Sequence, residues 1–387
     1  MTTLSSRRRE NSAAMLSDSA APEEVLRGVQ SDAPVSPLPL IIGTTLENSM
    51  KKTLLALAAV AASSAAFAQS SLTLYGVADL SVDRVKDTKQ YNRVSSSNYS
   101  SSRIGFKGTE DLGEGLKANF VLESGVNVDT GENGGKAVRF FDRAAWVGLT
   151  GGAGEVRVGR QDTSIGLIAA DTSILGGQAY DDLKMIKSAA ADGYRRADNA
   201  ITYVLPQFIT GLTSQLQYTL KAGTGSAVGA ESSDATKNVG RATGLNVKYA
   251  SGPVLAGLGY INVKDNNSTT AGDQHANATL VYAGYDLGMA KVIAYYDTET
   301  KAAERMSLIG LKAVVPVSEQ LTVTAGLSQA KNTAGSAAGN DDAMIVSAKV
   351  AYKLSKRTVA YGMGTLVDNE AASKVGVVAP TAGDQKT

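Results

Sequence analysis

SLTLYGVADLSVD, residues 71–83, places Leu72, Leu74, Gly76, Ala78, Leu80 and Val82 on one face of an extended chain, and Thr73, Tyr75, Asp79, Ser81 and Asp83 on the other. Successive strand side chains point to opposite sides, so a period of two reads as a strand with one face in an apolar medium and the other in water. Similar stretches of about ten residues recur along the chain, divided by glycine-rich turns. Upstream, Met50, Lys51 and Lys52 form a positive segment, Leu54 to Ala62 a short apolar run, and Ala66-Phe67-Ala68 a small-x-small cleavage site. Residues 50–68 are therefore expected to be a secretory signal peptide, with Gln69 opening an exported segment, 69–387.

The apolar run is too short to span a bilayer, and no later stretch approaches the ~20 apolar residues of a transmembrane helix. An exported chain of this kind either stays in water or crosses a membrane as a closed sheet, the one strand arrangement that leaves no backbone group unpaired in lipid. Residues 1–49 carry Arg7, Arg8 and Arg9 but no periodic apolar face, and are expected to be a disordered leader or a start assigned too early. The distance from Arg9 to the apolar run disfavours twin-arginine export.

Residues 1–68 hold six basic and six acidic residues, so the exported segment keeps the formal charge of +1. No basic cluster interleaved with aromatics offers a nucleic-acid surface. With no Cys and one His, His275, the usual structural zinc sets cannot be assembled, and a histidine-based nucleophile triad would have to use that residue. Asp273 nearby reads as loop chemistry. The glycine runs at 113–115 and 151–154 open no helix and precede no Lys-Ser/Thr, so they are hairpin turns rather than phosphate cradles. No cofactor, metal or catalytic residue is expected.

Connections alternate in length. Short turns fall at 108–115, 150–154, 206–211, 251–253, 286–288, 316–319 and 354–356, and longer polar segments at 83–99, 127–137, 161–196, 222–240, 264–274, 298–305 and 331–341. Strict alternation is expected of an outer-membrane barrel, with short turns in the periplasm and long loops outside; a sandwich has no reason for it. The fold class is thus an all-β, antiparallel transmembrane β-barrel. Fifteen strands run from Leu72 to Leu366, one fewer than an even-numbered bacterial barrel needs.

Four stretches carry a family likeness: SLTLYGVAD (71–79), SRIGFKGTEDLG (102–113), RAAWVGL (143–149) and GEVRVGRQ (154–161). Together they resemble the trimeric general porins of Gram-negative bacteria, over essentially residues 70–367. The resemblance implies a sixteen-stranded barrel in the outer membrane, a homotrimer whose subunits each hold a water-filled pore for small hydrophilic solutes and ions. It also implies that the third external loop, 161–196, folds inward and sets its acids against basic wall residues. The chain departs from the family at its end: no aromatic follows Tyr361, and a closing strand is expected to be missing.

By that resemblance Arg103, Arg143, Arg157 and Arg196 are the expected basic wall. Parity supports a lumen-facing Arg103, opposite Ile104 and Phe106, and Arg196, opposite Ile201 and Tyr203; Arg157 likewise opposes Val156 and Val158. Arg143 shares parity with Val147 and Leu149, so it faces the lumen only if a bulge intervenes. Of the loop acids Asp162, Asp171, Asp181, Asp182 and Asp192, the expected acidic side comprises Asp171, Asp181 and Asp182. The sign of ion selectivity stays open at this stage. The competing functional reading is an exported β-rich adhesin or structural outer-membrane protein, which extraction behaviour would separate from a pore.

Overall fold

In lipid a strand must find its hydrogen-bond partners in another strand, and a short turn makes the next strand in sequence the nearest one. The computed structural model follows that rule almost throughout. It describes residues 70–376 except 87–89, 135–138, 177–179, 189–193, 221–240, 265–274, 302–303 and 334–338. The expected leader and signal peptide lie outside the described residues, as does Asp192.

The first strands are β1 (Ser71–Val77), β2 (Leu80–Lys86), β3 (Gln90–Ser96), β4 (Arg103–Gly113), β5 (Leu116–Gly125), β6 (Ala144–Gly151) and β7 (Gly154–Asp162). Two short helices follow, α1 (Ser164–Thr172) and α2 (Asp182–Met185). Next come β8 (Arg196–Val204), β9 (Leu212–Thr219), β10 (Arg241–Ser251), β11 (Val254–Lys264) and β12 (His275–Asp286). The chain continues through β13 (Lys291–Lys301), β14 (Glu304–Pro316), β15 (Leu321–Lys331), β16 (Ala343–Lys353) and β17 (Val359–Asn369). Fifteen of these form one antiparallel sheet in chain order, β1 followed directly by β4; β2 and β3 pair as a separate hairpin.

The number of barrel strands agrees with the count read from sequence, but the first strand does not. Residues 72–82 were expected to be continuous, whereas β1 stops at Val77 and β2 begins at Leu80. The break falls at Asp79, whose carboxylate accepts hydrogen bonds from the backbone N–H groups of Tyr99 (2.7 Å) and Ser100 (2.9 Å), while its own N–H donates to Ser102 Oγ (2.9 Å). Side-chain to backbone bonds replace the ladder there. Among the described residues β1 pairs only with β4 and β17 only with β16. Side chains bridge the two edges: the Tyr361 hydroxyl donates to Asp79 Oδ1 (2.6 Å), and its ring stacks on Tyr99 at 5.0 Å.

Outward positions are apolar and exposed, as lipid contact requires: Leu72, Leu74, Val147, Leu216, Ile309 and Leu327 are each more than half accessible. The inward side is not uniformly polar. Ala242, Ile261, Leu280, Tyr282, Ile293, Tyr295, Met306 and Leu308 line the inner wall of β10 to β14 and are buried beneath Ile165, Ile168, Leu183 and Met185 of the folded-in segment 163–195, here loop 3. Full burial of each large apolar side chain contributes roughly 1.5–3 kcal/mol relative to exposure. The barrel therefore has its core inside, between loop 3 and one wall.

Local chemistry places α1. Thr163 caps it, its hydroxyl accepting from Gly166 N–H (3.0 Å) and donating to Tyr194 O (2.5 Å). Gly259 lets the helix approach β11, since a Cβ there would lie 2.8 Å from Ile168 Cγ1 and 2.9 Å from Ile165 Cα.

Candidate pore constriction

Buried or half-buried carboxylates need donors, and this chain supplies them as pairs of arginines. Glu123, inward-facing on β5, accepts from Arg143 Nε (2.5 Å) and lies 3.7 Å from Arg103 Nε. The Tyr75 hydroxyl donates to the same carboxylate at 2.9 Å. Asp162, at the end of β7, joins Arg195 (Nη2, 3.2 Å) and Arg196 (Nε, 3.1 Å). Asp198 on β8 joins Arg139 (2.6 Å) and Arg160 (2.5 Å). The unit of an acid between two arginines thus occurs three times along adjoining strands, and each unit retains one formal positive charge.

The first two units face a common cavity of about 430 Å³, also lined by Tyr99, Ser100 and Ser101 and, from loop 3, by Ala170, Ser173, Gly176 and Lys184. Its lining holds five cationic side chains, Arg103, Arg143, Lys184, Arg195 and Arg196, against the two carboxylates of Glu123 and Asp162. The lining of this cavity therefore has a formal excess of three positive charges. Arg195 is fastened to the loop by donating to Gly166 O, and Arg103 is held locally by donating to Ser101 O, just before β4, at 2.8 Å.

Of the basic residues expected from sequence, the structure brings Arg103, Arg143 and Arg196 to this cavity. Arg143 lies one residue before β6, outside the regular pleat, so strand parity does not bind it; its N–H donates to Glu123 O at 3.1 Å. Arg157 is set apart. It pairs with Glu155 (2.6 Å), lies 4.8 Å from the Trp146 ring centroid, and lines a smaller adjoining cavity of about 170 Å³ with Arg143 and Arg196.

The expected acidic side is corrected. Asp181 and Asp182 are buried against the wall, away from the main cavity, where Lys312 Nζ approaches Asp182 Oδ1 at 2.7 Å and Asp181 Oδ2 at 3.5 Å. Tyr295 donates its hydroxyl to Asp182 as well. Asp171 on α1 also turns to the wall, accepting from Lys248 Nζ and from the Tyr282 hydroxyl, both at 3.0 Å. These loop acids anchor the loop: carboxylates facing an apolar inner wall must take the ammonium and hydroxyl donors that wall offers. Burial, then the Asp182 charge, push Asp181 up to about 6 against the pull of Lys312. Asp182, although burial opposes it, is held below the ordinary carboxylate range by the Lys312 ammonium.

Sequence reasoning missed Glu123, Arg195, Lys184 and Lys312. Glu123 had a readable signal, since it opposes Leu122 in a strand whose other faces alternate. Arg195 adjoins Arg196 but precedes the strand, where parity says nothing.

The family described as Gram-negative porin matches residues 54–372. Outer membrane porin protein 32 of Delftia acidovorans is 34% identical over 349 residues, covering 85% of this chain and 93% of that protein. An outer membrane porin protein of Bordetella pertussis is 29% identical over 374 residues, covering 83% of this chain and 95% of its own length. Among solved structures, the anion-selective porin from Comamonas acidovorans superposes with a TM-score of 0.64 at 27% identity, over 80% of this chain and 92% of that one. OmpF of Salmonella typhi, at 21% identity and a TM-score of 0.62 over 79% and 94%, shares the fold.

Proposed function

The chain belongs to the Gram-negative porin family, and from that premise we propose that its pore favours anions, with the paired arginines around Glu123 and Asp162 as the filter. The protein is an outer-membrane channel for passive diffusion of small hydrophilic solutes and ions, and carries out no catalytic step. The observation that carries the selectivity reading is the excess of three positive charges on one cavity wall. Charge of one sign at a constriction selects by sign, while diameter limits size. The name of the Comamonas relative, an anion-selective porin, supports the same reading.

Within this filter Arg103, Arg143 and Arg196 present guanidinium groups to passing anions, and Glu123 and Asp162 hold them extended and apart. Arg157, stacked on Trp146, extends the basic surface beside them. Residues 50–68 act as the export signal. The working assembly is a homotrimer; the exposed apolar stripe of Leu72, Leu74, Val147 and Leu149 on the outer face is suited to subunit contact as well as to lipid.

Planar-bilayer recording in a potassium chloride gradient tests these statements. The reversal potential is expected to carry the sign of chloride permeation, and conductance to step in groups of three. Arg196→Gln combined with Arg103→Gln is expected to move the potential toward zero; a cation-selective wild-type channel would overturn the filter.

A further inference from the structure

A second cavity, of about 290 Å³, lies against the last strands of the sheet, toward their short-turn ends. It is lined by Lys349, Ala351 and Lys353 of β16, Thr322 and Thr324 of β15, Val314 of β14, Val359 of β17, and Ile174 and Tyr99. Residues 349, 351 and 353 share one face of the strand, so both lysines belong to the same side of the sheet. The lining contains two lysines, two threonines and no carboxylate. That composition contrasts with the constriction, where each pair of arginines is divided by an acid.

Lys349 is held in place. Its Nζ donates to Ile174 O at 2.5 Å and lies 4.7 Å from the Tyr99 ring centroid, while Tyr361 stacks against that ring at 5.0 Å. An ammonium has three N–H donors, so one carbonyl leaves donors for a ligand. Tyr99 lines both cavities, so the second adjoins the first; its wall is more apolar than polar, and Lys349, Lys353, Thr322 and Thr324 are the polar groups set into it. The chamber has the volume of roughly ten water molecules at about 30 Å³ each, room for a small oxyanion with part of its hydration shell.

We infer that this chamber is a binding site for a small oxyanion of two negative charges, held by Lys349, Lys353 and the Thr322 and Thr324 hydroxyls on the periplasmic side of loop 3. The inference rests on the anion-passing reading of the constriction. Occupied, the site would retain such an ion after it clears the arginines and obstruct the chloride that follows.

The test is chloride conductance of the full-length channel in planar bilayers, with hydrogen phosphate added separately to each side. Phosphate is expected to reduce the current at lower concentration from the periplasmic side. Lys353→Gln, an exposed position at the strand end, should raise the half-blocking concentration about tenfold, the equivalent of one charge-assisted hydrogen bond. The double variant Thr322→Val, Thr324→Val should raise it too, and neither variant should change the sign of the reversal potential. An anion-selective channel whose phosphate block is equal from both sides, or unchanged by Lys353→Gln, overturns the site alone. A cation-selective wild-type channel overturns the reading beneath it.

Discussion

Loop 3 has two faces with the same charge types and opposite physics. On the pore side Asp162 joins Arg195 and Arg196 with 18–28% of each side chain still accessible. On the wall side Lys312 joins Asp181 and Asp182 with essentially none accessible. The first set keeps part of its surface in water, so it is screened more than the second and can still attract solutes. The second set is desolvated, so its partners depend on one another and hold the loop in place.

If this contrast is sound, the largest effect comes from the buried side. Lys312→Met should lower stability by about 3–5 kcal/mol, because it strands two buried carboxylates. Thermal unfolding in detergent measures it, and raised open-channel noise should accompany the loosened loop. Loss of under ~1 kcal/mol would mean that Asp181 and Asp182 find other donors, and the contrast would collapse. Thr163→Ala removes the cap of the helix that joins the two faces; a loss of about 1 kcal/mol is expected by the same measurement.

A pH series sharpens the comparison further. Asp181 is raised to about 6, so between its ordinary value and 6 the folded protein binds more protons than the unfolded chain. Its contribution is fully present at low pH and is lost as pH rises through 6. Asp182 is lowered, so its contribution is present above the ordinary carboxylate range and is lost on further acidification. Loop anchoring should thus be firmest near about pH 4, weakening as pH rises to 6 and again on further acidification. Asp181→Asn should stabilise the protein at pH 8 and make little difference below about pH 4, as read from melting temperature against pH; equal effects at both would remove Asp181 from the balance. The smallest stability change belongs to the pore face: Arg103→Gln should alter unfolding by less than about 1 kcal/mol while shifting the reversal potential.

The outer half of this architecture was legible in the sequence because lipid imposes a period of two and short turns impose neighbour pairing. The inner half was legible only where the lumen is wet. Arg103 and Arg196, singled out by the resemblance, had an inward side supported by parity, and both line the cavity. Ile261, Leu280 and Leu308 did not, since alternation treats inward positions as polar and takes no account of a loop folded over them. The same blindness misassigned Asp181 and Asp182. Their position in the middle of loop 3 suggested the pore, but position along a loop carries no information about which face a carboxylate turns to. Lys312 is the missing term: a lone lysine between Leu311 and Ala313, on an inward position of β14 that loop 3 covers.

The order of the sheet also implies an order of events. Apart from the step from β1 to β4 over the hairpin, every barrel strand pairs with the next one in sequence, so each closure joins chain segments close together and can follow from the one before. The fastenings of loop 3 span far more chain: Asn246 to Ser164 crosses 82 residues, Lys312 to Asp182 crosses 130, and Lys349 to Ile174 crosses 175. Those contacts can form only after β10 to β16 are in place, which sets insertion of the loop late in folding; the Tyr361–Asp79 contact between the sheet edges spans more chain still, 282 residues. A sheet assembled with its loop undocked would be a wide pore with an apolar strip on its inner wall, and docking converts that strip into the selective passage.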